Sequence, residues 1–327
     1  MTTENASTAE AQKDNKTTLK FIATLLGVPL VLLIMLLSFL LPSLNSGAKD
    51  LPLAVSGPEP VIQQITGGLE QKQPDAFDVT TYQSAEEARD SVLNRDNIGA
   101  ITVGDNGITI ITASGAGTPY ASLLQQLGTG LESTEQQVSY DDVAPLTEDD
   151  PTGSSIATLG LPLVFGGNVS AILLISLFKN SPRLRVLGGL AIAIIGGFAV
   201  TAVMQYSLHV IDGNFLLTAA VLSLGIASIS MTLQGLHNLA GMAGIGVAGV
   251  ILLFFSNPLS GLATGAAWLP SPWGLIGQLM PIGAAGTAIR SAAFFDGAGM
   301  TFSLTVLIAW TLAGFLLSAF ITKRQSK

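Results

Sequence analysis

Cysteine is absent from this chain of 327 residues, and histidine occurs only twice. The first absence excludes disulfides and thiolate metal sites in any compartment. Together the two leave no basis for a zinc centre or for histidine catalysis, and no metal site is expected. Charge is scarce too: 11% of residues are Asp, Glu, Lys or Arg, against about a quarter in a soluble domain. The net charge of −8 argues against a nucleic-acid partner. No G-x-x-x-x-G-K-[ST] run occurs, so the chain is not expected to bind ATP through a P-loop. No Ser/His/Asp arrangement is credible either, and the chain is read as no enzyme and as holding no cofactor.

What is present is apolar. Hydrophobic residues make up 49% and the mean hydropathy is +0.56. A spanning helix needs about 20 mostly apolar residues. Five stretches qualify, at approximately 21–41, 155–178, 186–208, 215–235 and 301–322, and a shorter sixth lies at 239–256. Leu236-His237-Asn238 reads as the turn between the fourth and the sixth of these stretches. Lysine and arginine in short loops orient such a chain. Lys13, Lys16 and Lys20 precede the first span, Lys179, Arg183 and Arg185 lie between the second and third, and Lys323, Arg324 and Lys327 follow the last. Six spans bring all three clusters to the cytoplasmic face, with both termini inside. The first apolar core, about 21 residues, exceeds the usual 7–15 of a cleaved signal peptide, so it reads as an anchor.

Residues 49–153 differ in character, with 17 acidic and 4 basic residues. They read as a small α/β unit outside the membrane. LPLAVSG and FDVTTY are strands, and Val61, Ile62, Ile65 and Leu69 repeat at helical spacing. Ser84 and Glu87 form a capping box ahead of a helix whose buried face is Ala85, Ala88 and Val92. IGAITV and GITIIT flank Asp105-Asn106-Gly107, a hairpin signal. Thr118-Pro119 starts a helix with Tyr120, Leu124, Leu127 and Leu131 on one face. VSYDDVAPL returns as a strand. The run Glu148-Asp149-Asp150 lacks the spacing of a calcium loop and reads as a polar linker leading into the membrane.

Asp, Glu, Lys and Arg are missing from the six apolar stretches, which argues against a proton-relay antiporter. Asn168, Gln205 and Gln234 are the candidate buried polar residues there, expected to bond neighbouring helices. Gly188-Gly189, Gly196-Gly197 and the series Gly241, Gly244, Gly246 and Gly249 permit close helix approach, in a bundle core or at a dimer face. The stretch AAWLPSPWGLIGQLMPIGAAG, 266–286, is uncharged but broken by proline and glycine. Broken backbone exposed to lipid leaves N–H and C=O groups unsatisfied. The segment 257–299 therefore reads as short re-entrant or surface helices over the outer mouth of the bundle, a passive lid or an outer gate. Trp268, Pro270, Trp273, Pro281 and Arg290 are its candidate gate residues, with Arg290 and Asp296 anchoring SAAFF to water or to each other.

Four motifs carry a family resemblance: LPLAVSGP, SAEEARDSVLNRDNIGAITV, DVAPLTEDDPTG and NPLSGLATGAAWLPSPWGLIGQLMPIGAAGTAIRSAAFFDGAG. In these the chain resembles bacterial ABC transporter permeases of the type-two class, within it the permease-like membrane proteins of actinobacteria, and more distantly the phage-infection-protein type. The resemblance implies an export permease that forms a homodimer or heterodimer and works with a separate cytoplasmic ATPase, the only route by which ATP would enter. Arg183 and Arg185 would then contact that ATPase, or lipid headgroups. The loop KNSPRLRV leaves no room for the coupling helix of that class, and the phage-infection type implies the alternative, a non-transporting scaffold or receptor with an acidic outer domain. The expected fold is an α-helical integral membrane protein of the cell membrane with six transmembrane helices and a small α/β extracytoplasmic domain inserted between the first and second spans. Its parts are a cytoplasmic tail (1–18), a first transmembrane helix (19–42), the outer domain (49–153), a five-helix membrane domain (154–322) containing the 257–299 segment, and a cytoplasmic tail (323–327).

Overall fold

The computed structural model describes the backbone of residues 2–105, 107–132 and 137–325, and the side chains of 17–105, 107–132 and 137–318. Asn106 of the hairpin turn, and the side chains of Lys13, Lys16, Lys323, Arg324 and Lys327, lie outside the described residues.

Five helical stretches are long and apolar enough to cross a membrane: Thr17–Leu44, Ser154–Leu177, Pro182–Ser207, Phe215–Ala240 and Thr301–Ser318. The first belongs to α1 (Thr2–Leu44), whose described apolar side chains are almost all exposed. The second is divided at Leu159 into α5 (Ser154–Thr158) and α6 (Gly160–Leu177). The third is α7 (Pro182–Ala202), ending in a π-helical turn over Val203–Ser207. The fourth is α8 (Phe215–Ala240), capped by Asn214, whose side chain accepts from the Leu217 N–H. α8 is buried between α6, α7 and α12 (Thr301–Gln325). The exposed leucines, isoleucines and phenylalanines of α1, α6, α7 and α12 form an outer apolar surface far larger than a soluble monomer carries.

The sequence places a turn at 236–238, but α8 runs on through His237 and stops at Gly241, whose φ of 61° turns the chain. Leu236-His237-Asn238 still satisfies the i→i−4 ladder, so its polarity marks the end of a helix and not a loop. The chain then returns in α9 (Met242–Val250) and a π-helical continuation, Ile251–Ser256. These 15 residues span about 22 Å at 1.5 Å each, short of a ~30 Å hydrocarbon core. They nevertheless run from the end of the bundle where Asn238 meets Ser318 to the end where Asn257 neighbours Gly160.

The domain of residues 49–153, termed the outer domain for its place beyond one end of the helix bundle, is built on a five-stranded sheet of order β2-β1-β3-β4-β5. Its strands are β1 (Leu51–Ser56), β2 (Phe77–Tyr82), β3 (Ala100–Gly104), β4 (Gly107–Thr112) and β5 (Val138–Asp142). The β3–β4 hairpin is antiparallel and every other pairing is parallel. Parallel neighbours require crossovers, supplied by α2 (Glu59–Lys72), α3 (Ala85–Leu93) and α4 (Thr118–Glu132). α2 and α4 cover one face, packing Ile62, Ile65, Leu69 and Leu124 on Leu53, Val55, Ile101, Ile108 and Ile110. α3 covers part of the other. The capping box forms: Ser84 Oγ accepts from the Glu87 N–H, while the Glu87 carboxylate reaches the Gln83 N–H. The buried face of α3 is Ala88, Ser91 and Val92, and Ala85, the first residue of the helix, is exposed instead of buried.

The linker residue Asp150 is buried. Its carboxylate accepts from the amides of Ser154 and Ser155 and from the Ser154 and Thr152 hydroxyls, so it caps the helical stretch leading into the bundle. Burial alone would raise this carboxyl, but the hydrogen bonds from Ser155 and Ser154 outweigh it and hold it below its ordinary value.

Candidate functional site

The broken segment 257–299 folds into a helical hairpin dipping into the bundle. A 3₁₀ turn, Ala266–Trp268, precedes α10 (Trp273–Gln278), and α11 (Pro281–Phe294) climbs back. Pro281 at the first helical position starts α11 without forfeiting a bond. Small side chains then let α11 seat against α8, α12 and α6, buried at every position from Pro281 to Ala293 except Thr287. The base of the hairpin is tied by three bonds: Trp310 Nε1 donates to the Leu279 carbonyl (2.9 Å), the Ile282 N–H to Ser256 Oγ (3.1 Å), and Gln278 Nε2 to the Ser260 carbonyl (3.0 Å). Trp310 lies nine residues into α12, so the base sits about 14 Å below the top of that helix. This hairpin is an inserted element packed on protein, which satisfies its interrupted backbone.

The outer domain closes over it. Phe294 and Phe295, at the exit of α11, pack with Ala54, Ala88, Val92, Ala100 and Ile111 and complete the face of the sheet that α3 leaves open. Arg290, 3% exposed, donates from Nη1 to the Gly115 carbonyl (2.9 Å) and from Nη2 to the Leu262 carbonyl (2.8 Å). It thereby joins the outer domain to the loop ahead of the hairpin. Of the two anchorings open to Arg290 and Asp296, the mutual pair does not form: Asp296 is exposed to water at a left-handed turn with φ 49°, and the one ion pair among the described residues is Arg89–Asp141. α11 turns its Arg290 inward to meet carbonyls, while Asp296 lies past the helix end and faces away.

Arg95, in the turn after α3, reaches the same helix from above. Its Nη1 donates to the Thr287 carbonyl (3.0 Å) and to Ser291 Oγ (2.6 Å), and its guanidinium lies 5.0 Å over the Phe295 ring. Burial lowers it to about 10, although the nearby Tyr120 works the other way, so it remains cationic at neutral pH. The Tyr120 hydroxyl accepts from the Trp268 N–H (3.1 Å), the rings meeting edge to face at 5.9 Å. Burial pushes this phenol up to about 12 against the Trp268 and Ala267 amides and the two arginines. Trp268 is thus bound to the outer domain, and its carbonyl also accepts from Gly47 at the end of α1.

Pro270 and Trp273 sit apart from this junction. They line an open apolar groove of about 540 Å³ against Ile34, Leu37 and Leu41 of α1. Of the basic pair at the opposite end, Arg183 is exposed but Arg185 is 7% exposed within the bundle, so the two do not form one patch. Gln234, 1% exposed, bonds Ser230, which also accepts from Ser170, a polar seam between α6 and α8. Gln205 donates to the Gly213 carbonyl and closes the α7–α8 turn. Asn168 Oδ1 is buried without a partner among the described residues.

Arg95 and Tyr120 are the residues that sequence reasoning misses. Arg95 bonds a helix about 190 positions away, and the helical spacing of Tyr120 with Leu124, Leu127 and Leu131 marks it only as part of the buried face of α4. No local sequence pattern marks either residue for the junction, and the left-handed turn of Arg95, at a φ of 66°, shows only in the fold. No protein-family model and no curated protein matches this chain.

Proposed function

We propose that the chain is the membrane-spanning permease subunit of an ABC-type export system, crossing the cell membrane six times with both termini in the cytoplasm and working with a separate ATPase. The short return helix 242–256 is the additional crossing, its deficit in length made up by the turn residues at either end. The observation that carries the reading is the hairpin α10–α11: an inserted element packed on α8 and α12, latched to an acidic outer domain by Arg95 of that domain and by its own Arg290 and the adjoining Phe295. Such an element is a gate that opens outward when the latch is released. Lipid occupies the exposed apolar faces, and two such subunits make the export unit. Arg183, exposed at the opposite end, is the residue offered to an acidic ATPase surface, and Arg185 supports it from within the bundle.

The tight turn between α6 and α7 favours a second reading. Only four residues, 178–181, separate these helices, which leaves no coupling helix for an ATPase to grip. In that case the chain is a non-transporting scaffold or receptor whose outer domain binds an envelope component. ATP hydrolysis in native membranes, measured with the wild-type chain and with Arg183→Glu, discriminates the two. The permease reading expects hydrolysis that copurifies with the tagged chain and falls severalfold in the variant. An export profile unchanged on deletion of the chain, with no copurifying hydrolysis, would leave the scaffold.

A further inference from the structure

Arg95 and Arg290 face one cavity, and neither meets a carboxylate there. The cavity, about 160 Å³, lies between the 92–98 turn and Tyr120 of the outer domain, the 261–267 loop, and Thr287 and Arg290 of α11. That is well above the ~10–15 Å³ that one water needs. Arg95 spends only Nη1 on protein acceptors, so Nε and Nη2 are uncommitted. Arg290 gives one bond from each Nη and keeps Nε and two further hydrogens. The Tyr120 oxygen accepts from Trp268, and its own proton has no acceptor among the described residues. Asp150 is the acidic group that Arg290 senses, but its oxygens are occupied by the Thr152, Ser154 and Ser155 cap. The Thr287 carbonyl and the Ser291 hydroxyl of α11 answer Nη1 of Arg95 and no other nitrogen of that guanidinium.

We propose that this cavity is a binding site for a phosphate group, held between Arg95, Arg290 and the Tyr120 hydroxyl. Two like charges in a pocket of low dielectric repel one another, and a bound anion reverses that cost. Donors arrive from three separate elements, which suits the tetrahedral oxygens of phosphate better than the two coplanar oxygens of a carboxylate. Guanidinium forks are well matched to it. The phosphate is either a free anion on the outer side or the headgroup of a lipid, since the loop bearing Trp268 adjoins the end of α1. Because the same groups hold the outer domain on the hairpin, occupancy tightens the latch. The inference concerns binding and stands whether or not the chain transports.

The test uses the full chain in dodecyl maltoside, in phosphate-free buffer of constant ionic strength. Thermal unfolding is followed against inorganic phosphate and against acetate, and protein-bound phosphorus is measured after purification. Tyr120→Phe and Arg95→Lys each keep the fold's packing, the lysine retaining charge and a donor for the Thr287 carbonyl. A free-phosphate site predicts a saturable rise in Tm with phosphate and little with acetate, and an affinity on the order of ten-fold weaker in each variant. A lipid-headgroup site predicts about one phosphorus retained per chain, lost in both variants, with no further shift on adding phosphate. The proposal is overturned if wild type has neither the rise nor the phosphorus, if acetate matches phosphate, or if the variants behave as wild type.

Discussion

Arg290 is the residue on which the junction turns. Its guanidinium answers two carbonyls from segments about 150 residues apart, and nothing else among the described residues meets the Leu262 oxygen. Arg290→Met preserves volume and removes both donors. Each buried acceptor left bare costs about 1–3 kcal/mol, so thermal unfolding in detergent is expected at a Tm several degrees lower. Asp150 makes the second residue-scale case. A carboxyl held below its ordinary value contributes stability above the unfolded pKa of about 3.9. That contribution is lost as the pH falls through the lower folded value. Asp150→Ala should cost about 1 kcal/mol at pH 7 and nothing at a pH below the folded value. Unfolding measured across that range checks it, and an equal cost at both ends would contradict the capping role.

At the scale of elements, helix packing rests on close approach. A Cβ on Gly235 would lie 2.7 Å from the Gly314 carbonyl oxygen, and one on Gly314 would strike the Met231 backbone, so α8 and α12 touch backbone to backbone there. Gly246 and Gly249, from the glycine series that first suggests a seam, meet nothing within 4 Å among the described residues. Gly314→Val should therefore destabilise by about 1–3 kcal/mol, while Gly246→Val stays within about 0.5 kcal/mol, both read by thermal unfolding. The contrast also measures what the sequence reveals. Local rules carried far: the Ser84 capping box, the β3–β4 hairpin pattern and the Thr118-Pro119 helix start all appear where residue chemistry puts them. Prolines and glycines marked 257–299 as broken, but not how deep it sits, because depth is set by Trp310 and Ser256 on other elements. The sequence left Arg290 and Asp296 open to water or to each other for the same reason: Asp296 does face water, whereas the partners of Arg290, Gly115 and Leu262, come from elsewhere in the chain.

For the whole molecule, one arrangement of charge organises the rest. The acidic domain stands at one end of an apolar bundle, and the exposed Lys179 and Arg183 stand at the other, at the turn between α6 and α7. The bundle presents leucine, isoleucine and phenylalanine to its surroundings on most sides, which only a lipid environment stabilises. Packed helices hold the hairpin, and the α/β domain packs over its exit through Phe294, Phe295 and Arg290. The natural absence of cysteine allows the most direct test, since single cysteines report without background. Ser139→Cys lies on an exposed part of β5 and Asn180→Cys on the turn between α6 and α7. A membrane-impermeant maleimide applied to intact cells should label Ser139→Cys and spare Asn180→Cys until the membrane is permeabilised. Labelling of both positions in intact cells, or of neither until permeabilisation, would contradict a chain that carries these two sites on opposite sides of a membrane.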